Sequence, residues 1–162
     1  MMVGIDEDLL RRVSDLLKEK RLKVATAESC TGGMLGNLLT NISGSSEYYD
    51  RGVISYSNRA KMELLGVSKE TLDKYGAVSE PVAKEMAEGI RKRSKVDIGI
   101  STTGIAGPTG GTKDKPVGLV YVGVSTKERT IVRKFLFKGN RIENKESACN
   151  AALSMLLEVL ES

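Results

Sequence analysis

The stretch KVATAESCTGGMLGNLL, residues 23–39, decides how the rest of the chain is read. Lys23 to Glu28 is a short β-prone run, Ser29-Cys30-Thr31-Gly32-Gly33 is a glycine-rich turn, and Met34 to Leu39 is helix-like. The same order of strand, turn and helix recurs downstream. Arg51 to Tyr56 reads as a second strand, and Ser57 is an N-cap for a helix that runs through Leu65 and stops at Gly66. Upstream, Ile5, Leu9, Leu10, Val13, Leu16 and Leu17 recur at helical spacing, so Asp6 to Lys20 is an amphipathic helix.

Further on, Ser68 to Tyr75 predicts a short helix ended by Gly76, and Ser79 caps a longer one with Pro81 in its first turn. That helix ends in Arg91-Lys92-Arg93, where cations suit the negative end of the dipole. Val96 to Thr102 is a strand leading into a glycine-rich loop, and Val117 to Ser125 with Thr130 to Phe137 forms a hairpin. Arg141 to Leu160 closes the chain as a helix with Ala148, Ala152, Met155, Leu156 and Val159 on its buried side. Strands alternating with helices, followed by a hairpin, give an α/β fold: a three-layer α/β/α sandwich on a mixed, largely parallel sheet. With 162 residues and no repeat or linker, 1–162 reads as a single domain able to bury a core without disulfides or a structural metal. In such sheets ligands collect at the carboxyl ends of the parallel strands.

Composition narrows the chemistry. There is no histidine, which removes Ser-His-Asp and Cys-His nucleophile pairs, His-ligated zinc and imidazole acid/base work. The two cysteines, Cys30 and Cys149, match neither a CxxC metal pattern nor a secreted framework, and oxygen-rich clusters are absent, so no metal is expected. A reducing cytoplasm is the simplest compartment, since the N-terminal segment carries acidic residues where a signal peptide needs a basic start. No run approaches the ~18 apolar residues of a membrane span. A net charge of +4 favours anionic partners but falls short of a nucleic-acid footprint, so a small phosphorylated ligand suffices. Apolar residues on the terminal helices suit a homo-oligomer interface as well as they suit the core.

Three segments could carry chemistry. In the first, Ser29 stands just past a strand end, followed by the N–H groups of Cys30, Thr31, Gly32 and Gly33 at a helix start, which favours an anion or oxyanion. A plain tight turn with Ser29 as N-cap is the competing reading, and Glu28 beside it is placed to bond Thr31, the backbone or a water. In the second, Lys61 lies one turn into the helix capped by Ser57, and its side chain leans back toward the strand ends. A helix N-terminus and desolvation both disfavour its charge; lowering a lysine from about 10.4 to about 7.5 takes roughly 4 kcal/mol. Tyr56, at the strand end, could orient that amine or relay a proton, against the plain alternative of a surface lysine and a half-buried tyrosine. The third is the loop Thr102 to Gly111, whose glycines allow a ligand close to the backbone or simply make a long hairpin connection. With histidine absent, a serine activated by lysine is an available solution, and Cys30 is a weaker rival nucleophile.

Together TAESCTGG, RGVISYSNRAK and GIAGPTGG resemble the CinA C-terminal domain family, whose characterised enzymes are nicotinamide-nucleotide amidases. The likeness also takes in Ser43 to Ser46, Tyr75 to Pro81 and Lys115 to Gly118, in order, and so covers nearly the whole chain. It implies deamidation of nicotinamide mononucleotide, a small-molecule mononucleotide substrate, with no cofactor. It places the nucleophile on Ser29, the base on Lys61 and an assisting tyrosine on Tyr56. The N–H groups after Ser29 are expected to hold the oxyanion, Asn58 to fix the second strand-to-helix turn, and Gly104, Ile105, Ala106, Gly107 and Arg141 to hold ribose and phosphate. Where members commonly show Gly-Asp-Arg, this chain reads Gly139-Asn140-Arg141, so Asn140 cannot make the same ion pair. A nucleotide-binding or regulatory module that kept the pocket and lost turnover is the competing function; a DNA-related role is suggested only by the family name.

Overall fold

The computed structural model describes residues 3–162; Met1 and Met2, counted above in the 1–162 unit and its N-terminal segment, lie outside the described residues. Helix α1 (Glu7–Lys20) is capped by the Asp6 side chain and ends at Arg21 in left-handed conformation. Strand β1 (Val24–Glu28) and helix α2 (Met34–Thr40) follow, then a short 3-10 turn at Ser45–Glu47 and strand β2 (Tyr49–Ile54). Helices α3 (Asn58–Leu65), α4 (Lys69–Tyr75) and α5 (Glu80–Ser94) are capped by Ser57, Ser68 and Ser79 in turn. Strands β3 (Ile98–Gly104), β4 (Leu119–Ser125) and β5 (Thr130–Leu136) precede the long helix α6 (Arg141–Glu161).

The sheet order is β2-β1-β3-β4-β5, with β2, β1 and β3 parallel and β4 and β5 added antiparallel. Helices α1, α2 and α6 cover one face through a core that includes Val24, Ile98 and Ile100. On the other face α3, α4 and α5 pack Leu65, Leu72 and Val82 over Ala25, Ala27 and Val53 of the sheet. This is the expected three-layer arrangement, and the period-2 alternation of β1 gives consecutive residues to opposite layers. Glu28 therefore faces α2, while Ser29 faces α3.

Three strands differ from the sequence reading by two residues at an end, and the simplest is β4, which begins at Leu119 rather than Val117. β2 spans Tyr49–Ile54 rather than Arg51 to Tyr56, because it pairs β1 only from Val24↔Tyr49 to Glu28↔Ile54, and an irregularity at Val24/Ala25 accommodates Asp50. Tyr56 thus leaves the sheet. β3 begins and ends two residues later than Val96 to Thr102, since its antiparallel partner extends it to Gly104↔Val120.

The two layer helices nearest the site touch through backbone. A Cβ on Gly89 of α5 would lie 1.9 Å from the Leu65 carbonyl oxygen at the end of α3. Neither helix backbone can yield cheaply, so Gly89→Ala is expected to cost about 3 kcal/mol, the upper part of the overpacking range, as read by urea unfolding.

Candidate active site

Ser29 and Lys61 meet at the carboxyl end of the parallel strands. The Ser29 N–H donates to the Thr102 carbonyl across to β3 at 3.0 Å, which fixes the residue just past the end of β1. Its Oγ lies 3.0 Å from the Lys61 Nζ, in buried surroundings. Lys61 comes from the first turns of α3 and is only 1% exposed. Its Nζ also donates to the carbonyls of Ser55 at 2.9 Å and Tyr56 at 3.2 Å. Burial pushes the amine below the ordinary lysine range. The opposing influence is negative charge on Cys30, which is largely absent near neutral pH because burial pushes that thiol up to about 12.

This contact set has a chemical consequence. Two of the three partners are carbonyl oxygens, which only accept. A neutral amine has two N–H groups and one lone pair, so placing both N–H groups on the carbonyls leaves the lone pair for the Ser29 hydroxyl proton. The arrangement suits a general base next to its nucleophile.

The turn after Ser29 is organised by Glu28. Gly33, at φ 102°, is the N-cap of α2 and has no side chain to cap with. The Glu28 carboxylate, 2% exposed, caps the helix in its place. Its Oε1 accepts from Thr31 Oγ1 at 2.6 Å, Gly33 N at 3.2 Å and Leu35 N at 2.9 Å, and its Oε2 accepts from Gly36 N at 2.9 Å. Thr31 Oγ1 also lies 2.7 Å from Thr102 Oγ1, tying the turn to β3. Of the four N–H groups expected to serve an oxyanion, two are therefore engaged: Gly33 N with Glu28 and Gly32 N with the Ser29 carbonyl at 3.1 Å. The causes are local: the buried Glu28 carboxylate is the nearest strong acceptor for Gly33 N at the helix start, and the tight turn itself brings Gly32 N to the Ser29 carbonyl. Cys30 and Thr31 keep N–H groups that donate to no oxygen among the described residues.

The remaining expected residues form the rim. Tyr56 is 64% exposed and reaches Lys61 through its carbonyl, while its phenol oxygen accepts a long, 3.4 Å hydrogen bond from Arg141. The same guanidinium donates to the Gly107 carbonyl at 2.6 Å, and Asn144 Nδ2 to the Ala106 carbonyl at 3.0 Å, so α6 pins the loop from Gly104 to Gly107. Ile105 N is held by the Leu119 carbonyl and Gly104 closes the β3 ladder. Asn58 is the exposed first residue of α3 and the turn there is fixed by the Ser57 side chain instead. Asn140 caps α6 through a reciprocal pair with Glu143, for which its amide oxygen needs no charge. A cavity of about 500 Å3 opens beside the rim, lined by Ala106, Pro108, Val117, Gly139, Asn140, Arg141 and Ile142. Another, of about 440 Å3, lies at the opposite end of the strands around Leu22, Asp97, Ile98 and Thr126.

With this geometry in view, the family model for the CinA C-terminal domain matches residues 6–160. The chain belongs to that family. It is 54% identical over 158 residues to a protein of Caldicellulosiruptor saccharolyticus named for competence-damage induction, covering 97% of this chain and 38% of the relative. A CinA-like protein of Chloroherpeton thalassium is 49% identical, again over 97% of this chain and 38% of the relative. The chain thus spans well under half the length of these curated relatives. Among solved structures, the competence/damage inducible protein CihA from Agrobacterium tumefaciens superposes with a TM-score of 0.94 at 39% identity, covering all of both chains. A CinA superfamily protein from Escherichia coli gives 0.91 at 36% identity, covering 94% of this chain and 89% of that one. No helix among the described residues is long and apolar enough to cross a membrane.

Two members of the site escaped sequence reasoning. Thr102 was read as the end of a strand and the start of a glycine-rich loop, with no role assigned, although its position opposite Glu28 on β3 is what holds the Ser29 N–H. Asn144 follows Arg141 by three residues, the spacing that puts two α6 side chains on one face toward the loop. The capping role of Glu28 is the most testable feature. Glu28→Ala strands several buried donors at once and is expected to cost about 3 kcal/mol or more in urea unfolding.

Proposed function

We propose that this CinA-family chain is a metal-independent amidohydrolase that converts nicotinamide mononucleotide and water to nicotinic acid mononucleotide and ammonia. The observation that carries the reading is the buried 3.0 Å contact between Lys61 Nζ and Ser29 Oγ, with two carbonyls absorbing the amine's N–H groups. Substrate identity comes from the family resemblance, and the cavity beside the site carries Arg141 as its one charged lining residue among the described residues, a cation that suits a phosphate.

The steps follow from the partners available. Neutral Lys61 accepts the Ser29 proton as Oγ bonds to the carboxamide carbon, and the N–H groups of Cys30 and Thr31 are the donors of the turn left to receive the oxyanion. Lys61 passes that proton to the departing nitrogen as the C–N bond breaks, releasing ammonia and leaving an ester on Ser29. Water, deprotonated by the same amine, then opens the ester, and the proton returns to Ser29. Tyr56 contributes its carbonyl to hold the lysine and its phenol to hold Arg141, which links the reacting centre to the phosphate end.

Because the base works unprotonated and its pKa lies below the ordinary lysine value, kcat/KM should rise with pH along an acid limb whose midpoint falls below ~10.4. Ammonia assayed with nicotinamide mononucleotide should appear with the wild type, and fall at least about 1,000-fold in Ser29→Ala and Lys61→Ala, the scale seen when a member of a catalytic unit is removed. Tight nucleotide binding without product would instead support a regulatory module, and near-normal turnover by Lys61→Ala would remove the lysine from the mechanism.

A further inference from the structure

Two buried side-chain hydroxyls among the described residues have no hydrogen-bond partner, Ser55 and Ser94. Ser94 lies in the last turn of α5, away from the reacting groups. Ser55 is different. It is fully buried, its N–H continues the ladder to the Glu28 carbonyl at 2.8 Å, and its own carbonyl accepts from Lys61 at 2.9 Å. The register that pairs Glu28 with Ile54 sets Ser55 alongside Ser29, and alternation gives it the face shared by Val53, Ala27 and α3. An unpaired hydroxyl is thus buried on the residue whose own carbonyl holds the lysine amine. Leaving a buried hydroxyl unsatisfied is costly, and native structures retain few such groups without a reason.

The movement of protons through the reaction supplies one. At rest the neutral amine needs two acceptors, and the Ser55 and Tyr56 carbonyls are those two. After taking the Ser29 proton, the ammonium has three N–H groups, and one must turn from Oγ toward the leaving nitrogen. That rotation draws another N–H off its carbonyl. We propose that the Ser55 hydroxyl is a positioning residue for this step: it accepts the displaced N–H of the Lys61 ammonium while the proton is carried to the departing amine. No bond to substrate is involved, and Ser55 regains its unpaired state when ammonia leaves. The proposal rests on the amidase reading and deepens it, because only a leaving group that must be protonated needs the turn.

Ser55→Ala separates this role from a structural one. If the hydroxyl were a fold element, its removal would lower stability and depress every reaction at Ser29. The proposal predicts the opposite pattern. Removing an unsatisfied group should leave the thermal midpoint unchanged or raise it by about 2–4 °C. With nicotinamide mononucleotide, kcat should fall about 10- to 100-fold, the effect of losing a hydrogen bond to a charged group, while KM stays unchanged. Acylation of Ser29 by p-nitrophenyl acetate, whose phenolate leaves without a proton, should stay within about twofold of wild type by stopped-flow absorbance. Full amidase turnover in Ser55→Ala, an equal loss on amide and ester, or a lowered midpoint would each overturn the proposal. A wild-type protein that is acylated by the ester but releases no ammonia would defeat the amidase reading itself, and this inference with it, an outcome distinct from a failure of Ser55 alone.

Discussion

An amine with almost no exposure to water, held by two carbonyls and one hydroxyl, is the constraint around which the candidate site of this molecule is arranged. Burying a lysine charge is unfavourable, and the surroundings of Lys61 provide no carboxylate to offset it. Loss of the proton relieves that cost. The same desolvation that would penalise a structural lysine therefore favours the neutral form that the proposed base requires, and two carbonyls on its N–H groups would turn the lone pair toward Ser29. Helix α3 matters chiefly because it brings this group back over the strand ends, and the close backbone contact of Gly89 with Leu65 keeps that helix seated on α5.

The sheet divides the work between its faces. Adjacent residues on β1 point to opposite layers, so Glu28 organises α2 while Ser29 meets α3, one residue apart in the chain. Glu28 absorbs the donors of a helix start that has only glycine for a cap, and the turn it organises leaves the oxyanion two fewer of the groups a helix N-terminus would offer. A third layer of control comes from α6, whose Arg141 and Asn144 hold the loop after β3 by its carbonyls and carry the connection back to Tyr56. The site is consequently assembled from β1, α3, the loop after β3 and α6, which lie far apart in sequence.

Much of this was legible in the chain itself. Helix caps at Ser57, Ser68 and Ser79 and the stops at Gly66 and Gly76 stand where the residue chemistry places them, because capping is a local interaction. The proximity of Lys61 to Ser29 followed from a short strand-to-helix turn and the lean of helical side chains. What failed to show was whatever depends on pairing between distant segments. The ends of β2 and β3 moved by two residues because partner strands, not propensity, fix them. Tyr56 was read as a strand-end residue that could orient the amine or relay a proton; once β2 ends at Ile54, its ring lies at the rim and its carbonyl meets the lysine. Arg141 was reached through resemblance alone, since nothing local in α6 ties it to Gly107, and the orphan hydroxyl of Ser55 has no sequence signature at all.

The most direct test is the titration of the Lys61 amine in the folded protein, followed by NMR of its side-chain 13Cε and 15Nζ nuclei with Lys61→Met to assign the signal. A midpoint clearly below that of the surface lysines, with the amine neutral while the fold is intact, is the result required by a lysine that activates Ser29. A Lys61 that titrates with the surface lysines or above them would show a buried ammonium donating to Ser29, and would contradict the base on which the mechanism depends.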